Sequence, residues 1–133
     1  MRPWRNTVTH IMVVDDSPTI RASVSCCVQN AGYTVTKAAD GQDALDKITL
    51  MEQDGLIPSL IITDVNMPKM DGIIFIKNIK KSSLRYIPIL VLTTESEGVM
   101  VEKGKASGAS GWLIKPFQPE QLLRAIKKLI WAQ

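Results

Sequence analysis

The sequence predicts an α/β domain, a (βα)5 unit doubly wound around a parallel five-stranded sheet. Two observations predict it. Short apolar runs alternate with longer segments of helical periodicity, the pattern of strand–helix–strand crossovers. The runs beginning at 11, 60 and 89 are also nearly continuous, where a half-exposed strand would alternate apolar with polar. Strands covered on both faces have that composition. Each crossover is expected to be right-handed.

The strand candidates, in order, are Ile11–Val14, Thr34–Thr36, Leu60–Thr63, Ile89–Thr93 and Trp112–Ile114. Five helix candidates lie between and after them. The segment Pro18–Ala31 has proline in its first turn, where the missing N–H is harmless, and stops at Gly32. Gly41 to about Met51 sets Ala44, Leu45, Ile48 and Met51 on one face. Gly72–Lys81 carries Ile73, Ile76 and Ile79 on one side, with lysines around them. Ser96–Ser107 contains Gly98 and Gly104, each costing about 1 kcal/mol relative to alanine in a helix interior, which marks it as the helix readiest to move. Pro119 to about Trp131 repeats Leu122, Leu123, Ile126, Leu129 and Ile130 at helical spacing, with Arg124, Lys127 and Lys128 outward.

The bulk properties agree with one domain. A chain of 133 residues, 45% hydrophobic and 22% charged, buries a core without staples and leaves little room for a second unit. The organisation expected is an N-terminal extension over 1–9 and a folded domain over 10–133. The net charge of +3 is mildly basic, and no basic run or RNA-type aromatic motif accompanies it, so a nucleic-acid partner is not expected. Cys26 and Cys27 are adjacent, and neighbours on a helix point about 100° apart, so they read as reduced, partly buried thiols rather than a disulfide. No apolar run reaches the roughly 18 residues of a membrane span, and MRPWRNTVTH lacks a signal core. A cytoplasmic monomer is expected.

The chemistry lies at the strand ends. In an open α/β sheet the ligand crevice lies at the carboxyl ends of the strands. Asp15 and Asp16 follow the first strand, and Asp64 the third. Thr93, Thr94 and Glu95 end the fourth, and Lys115 and Pro116 follow the fifth. Taken singly, each has an ordinary explanation: acids at a helix N-terminus, a turn residue, a strand end, a solvated lysine. Their coincidence along one edge does not. Carboxylates brought together repel unless a cation sits among them, and an all-oxygen set selects a hard divalent ion such as Mg²⁺. A carboxylate trio, a hydroxyl and a lysine together suit a phosphoryl group, toward which one carboxylate can act as nucleophile.

With those residues in hand, the sequence resembles the response-regulator receiver domains, of the single-domain, CheY-like chemotaxis type. The stretches that carry the resemblance are VVDDSPTIR, ADGQDAL, ITDVNMPKMDG, PILVLTTE and GASGWLIKPF, and it covers about residues 10 to 131. It implies a flavodoxin-like strand order, 2-1-3-4-5. It implies that Asp64 accepts a phosphoryl group from a histidine kinase. It implies Mg²⁺ held by the carboxylates of Asp16 and Asp64 and the backbone carbonyl of Asn66, with Asp15 helping through water. Lys115 would pair with the phosphoryl oxygens, and its bond to Pro116 would be cis. Thr93 would sense the phosphoryl group, with Thr94 a small residue beside it. Trp112 stands where such receivers usually have Tyr or Phe, so Thr93 and Trp112 would form the switch. Asn66 and Glu95 would flank the attacking water and tune self-hydrolysis.

The function expected is therefore a phosphorylation-dependent binding module and not a turnover enzyme, with modest self-phosphorylation from small donors and self-dephosphorylation. Its output face would be the helix near 96–107, the strand near 112 and the helix near 119–131. The chain ends just after that helix, so output through a partner protein is expected, and the resemblance suggests the flagellar motor switch. Alternatives are a phosphate sink, a phosphorelay shuttle, or a receiver cut from a larger regulator. An aspartate-nucleophile phosphatase would need a second Asp where Asn66 stands, and a flavin-binding domain would need a phosphate-cradling loop after the first strand.

Overall fold

The computed structural model describes residues 9–67, 69–94 and 98–131. The expected extension therefore lies outside the described residues except for Thr9, as do Glu95 and the expected first turn of the fourth helix at Ser96. The elements are β1 (His10–Val14), α1 (Pro18–Asn30), β2 (Thr34–Ala38), α2 (Gly41–Gln53), β3 (Leu60–Thr63), α3 (Gly72–Lys80), β4 (Ile89–Thr93), α4 (Gly98–Ser107), β5 (Gly111–Ile114) and α5 (Pro119–Trp131). All strand pairings are parallel, in the order β2-β1-β3-β4-β5.

Period-two alternation along the covered strands sorts their side chains into two cores. Met12, Val14, Ile61, Ile89 and Val91 face α2 and α3, where Ala44, Ile48, Phe75, Ile76 and Ile79 meet them. Ile11, Val13, Leu60, Ile62, Leu90 and Leu92 face α1 and α5, where Val24, Val28, Leu122 and Ile126 meet them. β1, β3 and β4 are buried along their whole length, while the edge strands β2 and β5 are only partly covered. Side-chain caps fix where three of the helices start. Ser17, Asp40 and Asp71 accept from the backbone N–H groups of Ile20, Asp43 and Ile74, each relieving an otherwise orphaned donor.

The boundaries differ from expectation by a few residues. β2 runs to Ala38, two residues beyond its apolar signal, because the ladder to β1 carries Lys37 and Ala38 opposite Val13 and Val14. α2 runs to Gln53 and ends at Asp54, with Gly55 in the left-handed region at φ 72°. Both cysteines are free; Cys27 is half-buried as expected, whereas Cys26 is exposed. Among the described residues no helix is long and apolar enough to cross a membrane.

Candidate phosphoacceptor site

The site is built where β1, β3, β4 and β5 end. Asp15 continues the β1 ladder, its N–H donating to the Ala38 carbonyl at 3.1 Å. The residue is buried, and Oδ1 accepts from the Ser17 N–H at 2.9 Å. The Arg21 guanidinium on α1 donates to the Asp15 carbonyl at 2.6 Å, tying the loop to the helix that follows. Asp16 is exposed. Asp64 N–H donates to the Val14 carbonyl at 3.0 Å, so the third strand tip is pinned to the first. Oδ1 of Asp64 accepts from the Val65 N–H at 2.7 Å.

One ligand oxygen from each of Asp15, Asp16 and Asp64 can be chosen so that all lie within 4.8 Å of one another. Lys115, extending from the end of β5, reaches into the cluster: Nζ lies 3.1 Å from Asp15 Oδ2 and 3.6 Å from Asp64 Oδ2. These three side chains retain 14%, 4% and 12% exposure, so solvent screens the contacts poorly. Burial nevertheless pushes the Asp64 carboxyl above the usual aspartate range. Lys115 and the Val65 N–H pull it back, and the neighbouring Asp15 and Asp16 charges push the same way as burial. A single lysine thus leaves the trio's negative charge incompletely balanced, and this oxygen-only donor set fits a hard divalent cation.

Thr93 closes the site from β4. It is fully buried, and its carbonyl accepts from the Lys115 N–H at 2.7 Å, which locks the β4 and β5 tips together. Thr94 and Asn66 are exposed beside the carboxylates. The Lys115–Pro116 peptide bond is cis. Trp112 lies two residues before the β5 tip, opposite Val91 in the ladder, and packs half-buried against the α2–α3 core. The structure therefore brings Asp15, Asp16, Asp64, Thr93 and Lys115 to one strand edge, while Trp112 sits two residues back along β5.

Two contributors escaped the reading of the sequence. Gly72 donates its N–H to the Val65 carbonyl at 2.7 Å, and a Cβ on it would fall 2.1 Å from the Asp64 carbonyl oxygen and 2.8 Å from Val65 Cα. The obstacles are backbone, so only glycine lets α3 begin this close to Asp64. The signal is the glycine closing ITDVNMPKMDG, which the sequence offers as the first residue of a helix with no mark of a close approach. Arg21 gave no signal, because an arginine in the first turn of a helix ordinarily points to solvent. Beside the site, an open apolar groove of about 430 Å³ is lined by Ile20, Val24, Cys27, Phe117 and Leu122, and by Lys115.

Comparison with known proteins agrees with this geometry. The family model for the response regulator receiver domain matches residues 11–127. The solved structure of the Vibrio cholerae chemotaxis protein CheY4 is 44% identical, covers 92% of this chain and 99% of its own, and superposes with a TM-score of 0.83. Protein PilG of Pseudomonas aeruginosa is 37% identical over 120 residues, which are 88% of this chain and 84% of that protein. The alkaline phosphatase synthesis transcriptional regulatory protein PhoP of Bacillus subtilis is 34% identical over 120 residues, 90% of this chain. The match spans only 48% of PhoP, about half of that relative's length. Receivers of this family generally use Mg²⁺ at an acidic pocket, which is the character of the Asp15, Asp16 and Asp64 cluster. With the family model spanning nearly the whole fold and the acidic pocket at the strand tips, the chain belongs to the response regulator receiver domain family.

Proposed function

We propose that Asp64 accepts a phosphoryl group from a phosphohistidine on a histidine kinase, and that the acyl phosphate so formed switches binding of a partner protein. The observation that carries the reading is the convergence of three carboxylates and Lys115 at one strand edge, with the Asp64 carboxylate directly beside the lysine. A carboxylate oxygen of Asp64 attacks phosphorus, the P–N bond to the imidazole breaks, and its electron pair returns to the ring nitrogen, which takes up a proton. Lys115 shifts from its carboxylate partners toward the incoming phosphoryl oxygens, and the Thr93 hydroxyl donates to one of them. The carboxylates of Asp16 and Asp64 and the Asn66 carbonyl would hold Mg²⁺, with Asp15 helping through water, and the ion supplies charge neutralisation and alignment for the transfer. The apolar groove beside Lys115 gives the donor protein a surface to cover while its phosphohistidine reaches Asp64.

The chain is then a switch with weak self-chemistry and not a turnover enzyme. It phosphorylates itself slowly from small donors and hydrolyses its own acyl phosphate, with Asn66 and Glu95 tuning the attack of water. Likeness to a chemotaxis protein favours a flagellar motor switch as the partner and the cytoplasm as the place. The partial match to a longer transcriptional regulator favours a second reading, a receiver unit serving a larger regulator. Phosphorylation-dependent capture of a motor-switch peptide separates the two. The chemistry itself is tested by incubation with a phosphorylated histidine kinase, borohydride reduction of the acyl phosphate and peptide mass mapping. The reduced aspartate is expected at position 64; a modified peptide elsewhere, or none, contradicts the assignment.

A further inference from the structure

Trp112 and helix α4 are fitted to each other at one point. A Cβ built on Gly104 would lie 2.0 Å from Trp112 Cζ3, 2.9 Å from Cε3 and 3.0 Å from Cη2. The far ring of the indole therefore occupies the place of the missing side chain, pressed on the α4 backbone. That backbone is held by hydrogen bonds at the C-terminal end of α4. The Gly104 carbonyl accepts from the Ala109 N–H at 3.0 Å, and the neighbouring Lys103 carbonyl accepts from the Ser107 hydroxyl at 2.7 Å. Glycine is less favourable than alanine inside a helix, so α4 gives up intrinsic stability at this residue for the contact.

The seated indole carries a buried donor. Among the described residues its Nε1–H is buried and meets no acceptor. A buried donor without a partner forfeits its hydration, whereas rotation into water would restore it. Burial of the ring favours the seat, and the stranded N–H opposes it. Such opposition narrows the free-energy gap between two ring positions, which is the property a two-position switch needs.

We propose that Gly104 is a positioning residue for Trp112: its bare backbone is the seat that holds the indole, so that ring position and the approach of α4 to β5 form a single coordinate. The proposal rests on reading Trp112 as the reporter of phosphorylation at Asp64, and it extends that reading to α4. A tryptophan can stand at this place on β5 only because α4 offers no side chain there, and any side chain at 104 must expel the ring or push the helix away. A smaller aromatic at 112 would not reach the helix backbone and would not require the glycine.

The test is a double-mutant cycle of Gly104→Ala and Trp112→Phe in the full chain, with Trp4 and Trp131 replaced by Phe. With Phe at 112, G104A should raise Tm by about 2–5 °C, the ordinary gain of alanine over glycine in a helix. With Trp at 112 the same change should lower Tm, red-shift the indole emission and raise its quenching by acrylamide. In that Trp-containing variant Asp64 should still gain phosphoryl mass from acetyl phosphate with Mg²⁺, while the fluorescence response to phosphorylation is lost. An equal Tm gain in both backgrounds with unchanged emission overturns the seat. A fluorescence response retained in G104A overturns its part in switching. Absence of a phosphoryl adduct on the parent protein would instead remove the receiver chemistry, and the cycle would still decide the seat.

Discussion

Lys115 touches two carboxylates at once, and its removal separates two effects that the intact site combines. Within 3.1 Å of Asp15 and 3.6 Å of Asp64, its ammonium offsets their repulsion but also opposes any metal ion held by the same oxygens. Lys115→Ala should therefore tighten Mg²⁺ binding, roughly tenfold by Coulomb estimate, while phosphoryl transfer to Asp64 falls. Isothermal titration with Mg²⁺ beside an adduct assay reads both, and a fall in both would show that the lysine holds the carboxylates in place for the metal. At the far end of the sheet His10 bridges β1 and β2, with Nδ1 2.6 Å from the Thr34 hydroxyl and Nε2 2.6 Å from the Thr36 hydroxyl. Burial lowers its pKa below 6.5, so the folded state binds fewer protons than the unfolded chain. Stability from this group is present above pH 6.5 and lost as pH falls through the lowered folded value. Urea midpoints measured on either side of that window should decline on the acid side more steeply for the native chain than for His10→Gln. Parallel curves would contradict the coupling.

Helix α3 shows how closely an element can be tied to chemistry it does not perform. Its first residue, Gly72, abuts the Asp64 carbonyl, and Asp71 caps it by accepting from the Ile74 N–H at 2.9 Å. Gly72→Ala places a methyl group against backbone that cannot rotate away, and should cost about 1–3 kcal/mol in chemical denaturation and slow phosphoryl uptake. Unchanged stability would mean that the loop relaxes freely. The helices were legible because proline, glycine and Asx signals bracket apolar faces of the right period. Their inward residues were less so. Phe75 is fully buried on α3, yet the face drawn from isoleucine spacing alone passed over it. On α5 the apolar stripe was correct, but only Leu122 and Ile126 lie deep, because the helix covers the sheet with one edge and leaves Leu123, Leu129 and Ile130 half-covered. The fit of Gly104 to Trp112 could not be read in the chain at all. The chain shows Gly104 only as a weak point in a helix and Trp112 only as an aromatic in a strand, and folding alone brings the two together.

Taken whole, the molecule is a sheet that places the ends of its strands on one edge. Continuous apolar runs disclosed the parallel sheet, because strands buried between two helical layers have no polar face to show. The order 2-1-3-4-5 came with the family resemblance and not from the runs, since a parallel strand carries little in its own residues to say which neighbour it pairs with. Given parallel strands, the candidate site followed: carboxylates after the first and third strands, a threonine at the end of the fourth and a lysine after the fifth must meet at the carboxyl edge. The sequence could not say how buried each group would be. That follows from the full layer packing, and it leaves Asp15 sheltered beside Lys115 while Asp16 faces solvent. The most direct test of phosphoacceptance at Asp64 is intact mass after incubation with acetyl phosphate and Mg²⁺, for the native chain beside Asp64→Ala. One labile phosphoryl group is expected on the native protein, absent from the variant and absent when Mg²⁺ is chelated. An adduct that persists in Asp64→Ala, or one that forms equally without the metal, would contradict the account.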